Sequence, residues 1–253
     1  MTTQASGRPC PKCGHVQEGG AECGRCGVIF ARMVKVGGAE VGPELAWLVE
    51  GRDVMFMDQH VRHWWELLIG VEQANEYTLY GGDGRPVGFV KENGGGVLRN
   101  LARLFLGSRR PFDVYVTNLH REVALTLSRR FSFFFSTVRV ESGQGRPLGH
   151  IRRRFGLLWR VYDLEDERGR VVARIKSPIW RLWTFPVLDA HGQTMGQISK
   201  KWAGFAQEYF TDADNFQIDF GKHAWTAQER ALVLASAVLI DFDWFENNQG
   251  SKR

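Results

Sequence analysis

A chain of 253 residues with 43% hydrophobic and 24% charged side chains has the make-up of an ordinary globular protein of one or two domains. All four cysteines precede residue 27, which argues against the loop-spread disulfides of a secreted protein and favours a reducing cytoplasm. The net charge of +5 favours acidic partners, anionic lipid or nucleic acid, and nine Trp with seventeen Phe exceed what a core of this size needs, so some aromatic surface is expected to face a partner.

The first thirty residues carry Cys, Gly and charge in place of an apolar segment, so no signal peptide is expected. Cys10-Pro-Lys-Cys13 and Cys23-Gly-Arg-Cys26 form two tight knuckles, each able to turn both thiolates toward one ion. Together they predict a closed tetrahedral zinc site with no open position for catalysis. Metal binding would supply the folding energy of so short a segment, on the order of 10 kcal/mol. Two disulfides or a redox pair are the competing readings, but the βαβ context of a redox motif is missing. Such a ribbon serves nucleic-acid binding, protein docking or N-terminal capping. Glycines and Pro43 punctuate a linker over residues 33–51.

Beyond the linker, one template recurs. Gly84-Arg-Pro-Val-Gly-Phe-Val90, Gly145-Arg-Pro-Leu-Gly-His-Ile151, Gly169-Arg-Val-Val-Ala-Arg-Ile175 and Gly192-Gln-Thr-Met-Gly-Gln-Ile198 place a turn glycine ahead of an apolar, small, then apolar series. A looser copy begins at His120. Each follows an alternating or aromatic run, so five hairpins, or about ten strands of a meander, are predicted. Further strands are expected at Val54–Asp58, Trp64–Ile69 and Phe216–Phe220. A sheet of this size closes into a barrel to remove its edges.

Thr226-Ala-Gln-Glu229 fits a capping box that starts a helix running to about Glu246. From Ala231 to Ile240 that helix is apolar on every side and must be enclosed. Ten apolar residues fall well short of the roughly 20 of a membrane span. A barrel of about a dozen strands is wide enough to sheathe the helix. Gly82–Gly88 misses the dinucleotide-binding spacing and leads into a strand, and no metalloprotease, nucleophile-elbow or phosphate-loop motif occurs, so covalent catalysis is not expected.

Gly196-Gln-Ile-Ser-Lys-Lys-Trp-Ala-Gly204, Glu208-Tyr-Phe-Thr-Asp-Ala-Asp-Asn-Phe216 and Leu239-Ile-Asp-Phe-Asp-Trp-Phe-Glu246 resemble the phospholipid scramblase family, as do Gly70–Tyr77 and Gly107–Phe112. The resemblance runs from Arg52 to Glu246. It implies a mainly β, tubby-like fold, a closed antiparallel barrel of twelve strands around a hydrophobic C-terminal helix, here preceded by the zinc ribbon. Four segments follow: a ribbon over 1–32, a linker over 33–51, the barrel with its helix over 52–246 and a polar tail over 247–253. The resemblance also implies movement of phospholipid between leaflets, calcium stimulation, and a cytoplasmic protein held on the inner face of the plasma membrane. A lipid-headgroup sensor without translocation, or an adaptor that reads nucleic acid through the ribbon, are the alternatives.

The stretch that matches the family's palmitoylated cysteine cluster reads Arg129-Arg-Phe-Ser-Phe-Phe-Phe-Ser136 and has no cysteine. Its Phe134, with Arg129 and Arg130, is a lipid-contact candidate, whereas Phe131, Phe133 and Phe135 are expected to alternate into the core. Arg109, Arg110, Lys200 and Lys201 complete the basic candidates for acidic headgroups. Arg152, Arg153 and Arg154 cannot all share one face of a strand. The family's proposed calcium segment corresponds to Asp212–His223. As a helix-loop-helix calcium loop it has Phe216, Gln217 and His223 at places that need a ligand, a glycine and a glutamate. Asp212, Asp214, Asn215 and Asp219 remain as a weak calcium candidate, against turn and strand-end capping by the same side chains.

Overall fold

A computed structural model describes residues 8–9, 15–17, 24–25, 35–36, 39–40, 45, 47–48, 52–59, 76–93, 111–131, 135–200 and 215–245. Two short antiparallel ladders come first, β1 (Arg8–Pro9) with β2 (Val16–Gln17) and β3 (Lys35–Val36) with β4 (Ala39–Glu40). The four zinc-candidate cysteines, and the strand expected at Trp64–Ile69, lie outside the described residues.

The body is one closed barrel of β5 (Val54–Gln59), β6 (Glu76–Gly81), β7 (Pro86–Glu92), β8 (Phe112–Asn118), β9 (Val123–Arg129), β10 (Thr137–Ser142), β11 (Pro147–Arg154), β12 (Trp159–Glu165), β13 (Val171–Pro178), β14 (Thr184–Leu188), β15 (Thr194–Ser199) and β16 (Phe216–Asp219). Each strand pairs antiparallel with its neighbour in sequence, and β16 pairs with β5 to close the ring. No barrel edge is left unpaired, which removes the template for strand addition that an open sheet presents.

Five strand pairs reverse direction in one way. In each, a residue at the strand end donates its N–H to the carbonyl four residues on and accepts from the N–H three residues on; Ser142 with Arg146 and Gly145 is an example. That is a type I turn followed by a left-handed residue. Gly84, Gly145, Gly169 and Gly192 fill the left-handed place with φ of 73–80°, where a glycine lacks the Cβ clash. In the looser copy the place falls on Arg121 (φ 61°), so its register is one residue later than the sequence template, which aligned His120 with the glycines. Side chains at the head of the turn replace lost ladder bonds: the Asp166, Asp189 and Asn118 carboxyl or amide oxygens each accept two backbone N–H groups.

The helix α1 (Ala227–Trp244) fills the lumen. Thr226 and Glu229 form the reciprocal capping box that the sequence predicts, and the helix ends at the half-buried C-cap Phe245. Every residue from Arg230 to Asp243 is buried. Ala231, Ala235 and Ala237 let the helix fit, while Leu232, Leu234, Val238 and Ile240 meet the inward-facing Met55, Leu79, Val114, Leu127, Ile151 and Ile198 of the strands. Each buried aliphatic side chain contributes about 1.5–3 kcal/mol. Among the described residues no helix is long and apolar enough to cross a membrane.

Candidate lipid-facing site

The meander gives the barrel two unlike ends. One carries the five tight turns and the start of α1. The other carries the connections after β5, β7, β9, β11, β13 and β15, together with the end of α1.

Two of those connections run 155–158 and 179–183. Polar residues usually close a hairpin, yet here the chain reads Phe155-Gly-Leu-Leu-Trp159 and Ile179-Trp-Arg-Leu-Trp183. The side chains stay out of the core: Leu157 is 81% exposed, Phe155 77% and Trp180 65%, with Ile179, Leu182 and Trp159 also exposed. The Trp159 and Trp180 rings lie 6.0 Å apart and tie the two loops into one surface. Phe131 and Phe135, expected in the core, are exposed in the neighbouring connection, because β9 stops at Arg129 and β10 starts only at Thr137, so strand alternation does not reach them. Phe134 lies outside the described residues. Arg130 and Arg181 are exposed among these side chains, and Lys176 sits 4.7 Å from the Trp159 ring.

Below this surface the end of α1 brings two carboxylates into the barrel. Asp243 accepts from the Arg129 guanidinium at 2.7 Å and the Tyr162 hydroxyl at 3.0 Å, with Arg153 at 3.7 Å. Asp241 accepts from the Tyr77 hydroxyl at 2.5 Å and lies 3.5 Å from the Lys200 ammonium, which rests 4.1 Å from the Phe245 ring. Burial pushes the Asp243 carboxyl above its ordinary range, against the pull of Arg129 and Arg153. Burial and then the Asp243 charge raise the Tyr162 phenol well above its usual value. Arg129 and Lys200, expected as surface contacts for headgroups, are therefore interior cations: both are buried because the two aspartates at the end of the helix need counter-charges where water is excluded.

On the outer wall, strand alternation separates the arginine run as expected. Arg153 leans toward the Trp244 ring, and Arg152 and Arg154 point outward. Paired registers place Arg152, Asp163 and Arg174 on one rung and Arg154, Val161 and Lys176 on the next. Asp163 accepts from Arg154 at 2.7 Å and from Arg174 at 2.6 Å, while Glu165 takes Arg152 and Arg154. Burial would lift the Asp163 carboxyl, but hydrogen bonds from Arg174 and Arg154 outweigh it and hold it below the usual range. Arg154, Asp163, Arg174 and Lys176, with Phe155 and Trp159, line a groove of about 530 Å³.

Of the calcium candidates, Asp212 and Asp214 lie outside the described residues, as do Arg109, Arg110 and Lys201. Asn215 is buried, and its side-chain oxygen has no hydrogen-bond partner among the described residues. Asp219 stands at the opposite end of β16, where its carboxylate accepts the Gly221 N–H and caps the turn. The two are not brought together.

Sequence reasoning missed Phe155, Leu157, Trp159, Ile179, Trp180 and Leu182. The available signal was the apolar character of residues placed where a hairpin should turn.

The family model described as Scramblase matches residues 36–247. A phospholipid scramblase family protein of Schizosaccharomyces pombe is 24% identical over 79% of this chain and 61% of its own length. Phospholipid scramblase 1 of Mus musculus is 30% identical over 72% of this chain and 58% of its own. The altered inheritance rate of mitochondria protein 25 of Saccharomyces cerevisiae is 27% identical over 72% of this chain and 67% of its own. The chain thus spans about three fifths of the first two of these relatives. No solved structure matches it significantly.

Proposed function

Because the chain belongs to the scramblase family, we propose that it attaches peripherally to a phospholipid bilayer through the long-loop end of its barrel and moves phospholipid between leaflets without covalent chemistry. The observation that carries this reading is the exposed Phe155, Leu157, Trp159, Trp180 and Leu182 in two adjoining loops, interspersed with Arg and Lys. Trp rings favour the bilayer interface, where the apolar body meets acyl chains and the polar edge meets headgroups. Basic side chains beside them match the negative potential of an anionic leaflet, and the inner face of the plasma membrane is the proposed location.

The four cysteines Cys10, Cys13, Cys23 and Cys26 are proposed to hold a structural zinc. This is supported by the ladder of β1 with β2, which brackets the first pair in sequence, and by a turn at Gly24–Arg25 between Cys23 and Cys26. The comparisons do not favour a nucleic-acid partner for this segment.

Full-length protein reconstituted into liposomes with a quenchable fluorescent lipid tests the reading. The expected result is that the fraction of lipid protected from an external quencher falls with wild-type protein. An unchanged protected fraction, with calcium and with chelator alike, rejects translocation. Attachment is tested separately by flotation with phosphatidylserine-containing vesicles. Burying Leu157 is worth about 1.5–3 kcal/mol, so Leu157→Ala with Trp180→Ala should weaken attachment at least tenfold while leaving the unfolding midpoint unchanged. Equal flotation of that variant would remove the loops from the membrane contact.

A further inference from the structure

We infer that the groove on the outer wall of β11, β12 and β13 is a binding site for the phosphate of an anionic lipid headgroup, seated while the adjoining loops enter the bilayer; this inference rests on the membrane reading above.

The argument starts from charge. Arg152, Arg154, Arg174 and Lys176 face outward on neighbouring rungs, and Asp163 and Glu165 are the acids of the same surface, so the wall carries two positive charges in excess. Those acids are already occupied. Asp163 is only 2% exposed beneath the Arg154 and Arg174 side chains, and its carboxylate uses one oxygen for each arginine. Its role is to hold the guanidinium groups in place.

The cations are not used up in return. Arg174 engages Asp163 through Nε, and its two terminal nitrogens have no hydrogen bond to any described residue. Lys176 has no carboxylate partner among the described residues, and its ammonium rests 4.7 Å from the Trp159 ring. An ammonium positioned over an aromatic face keeps its donors available for an oxygen ligand. A phosphate offers several acceptor oxygens and matches the planar fork of an arginine. The groove is therefore preorganised for a phosphate, with the arginine stems fixed by Asp163 and the lysine fixed by Trp159.

The source of that phosphate follows from position. Phe155, Gly156 and Trp159 form one wall of the groove and also belong to the exposed apolar loops. When those loops sit among acyl chains and headgroups, Lys176 and Arg174 lie at the level of the phosphates. A lipid then places its phosphate in the groove and its chains beside the loops.

Full-length wild-type protein is compared with Arg174→Gln/Lys176→Gln and with Arg168→Gln/Lys222→Gln, which removes the same charge at the tight-turn end. Flotation uses phosphatidylcholine vesicles with and without phosphatidylserine. The groove variant is expected to bind the serine-lipid vesicles about thirtyfold more weakly, with an unfolding midpoint lowered only by the small loss of the half-exposed Arg174–Asp163 pair and with unchanged residual binding to phosphatidylcholine. The tight-turn variant is expected to bind as wild type does. Equal losses in both variants would reduce the effect to bulk charge and overturn the site. Undiminished binding by the groove variant would overturn the site and leave membrane attachment standing. Wild-type protein that floats with neither vesicle overturns the membrane reading and the groove with it. Inorganic phosphate that binds wild type but not the groove variant, while both proteins float equally with the serine-lipid vesicles, would overturn the lipid assignment in favour of a free anion.

Discussion

The two ends of the barrel are made from the same twelve strands and differ in what closes them. At the tight-turn end, five reversals repeat one backbone geometry, and their polar side chains are spent on capping the chain's own N–H groups. At the other end, the described connections 155–158 and 179–183 are no longer than the tight turns, but they present large apolar side chains to water, and the second is held from beneath by the buried Arg160, which donates to the Pro178 and Arg181 carbonyls. Beneath them lies the interior charge cluster around Asp241 and Asp243. An end whose residues satisfy the backbone is built for stability. An end that leaves Leu157 and Trp180 in water carries a cost that folding does not repay, and binding is the process that can.

The sharpest way to break this comparison is at the interior of the long-loop end. Asp243→Ala leaves Arg129 buried beside an uncharged neighbour, and a loss of about 3–5 kcal/mol is expected in urea unfolding. A loss below about 1 kcal/mol would mean that the cluster is dispensable for the fold. At the tight-turn end, Gly145→Ala forces a Cβ into the left-handed region. An expected cost of about 1–2 kcal/mol, with vesicle flotation unchanged, separates the stabilising end from the binding end; weakened flotation would erase that separation.

The smallest effect concerns the outer wall. The folded-state carboxyl of Asp163 titrates below its unfolded value, so its stabilisation is fully present above the ordinary carboxylate pKa of about 3.9 and is lost as pH falls through the lower folded value. Its partners Arg154 and Arg174 are half-exposed, so each pair is worth about 0.5 kcal/mol after screening. The difference in unfolding midpoint between wild type and Asp163→Asn should be constant near neutral pH and shrink toward zero under acid. A difference that grows on acidification contradicts the ion-pair account.

Much of the architecture was legible because it depends on local rules. A left-handed glycine before an apolar, small, apolar series marks a hairpin wherever it occurs, and Thr226 with Glu229 marks a helix start through hydrogen bonds that span three residues. The helix from Ala231 to Ile240 announced its own enclosure by having no polar face. The site was legible only in part. An excess of Trp and Phe signalled exposed aromatic surface, but Phe131 and Phe135 were assigned inward by extending an alternation past the end of β9.

Sequence alone thus determined most of the barrel strands, the turns and the need to bury the helix, since each follows from backbone geometry and from water's exclusion of apolar surface over short separations. Tertiary structure alone decided which charges are inside. Arg129 and Lys200 are indistinguishable from Arg130 in sequence character, yet they lie within the barrel because Asp243 and Asp241, 114 and 41 residues away, arrive on the helix to meet them. Closure of the ring likewise gathers Trp159 and Trp180 onto one end and Arg154, Arg174 and Lys176 onto one wall. Electrostatics and packing act through space, and only the folded chain sets those distances.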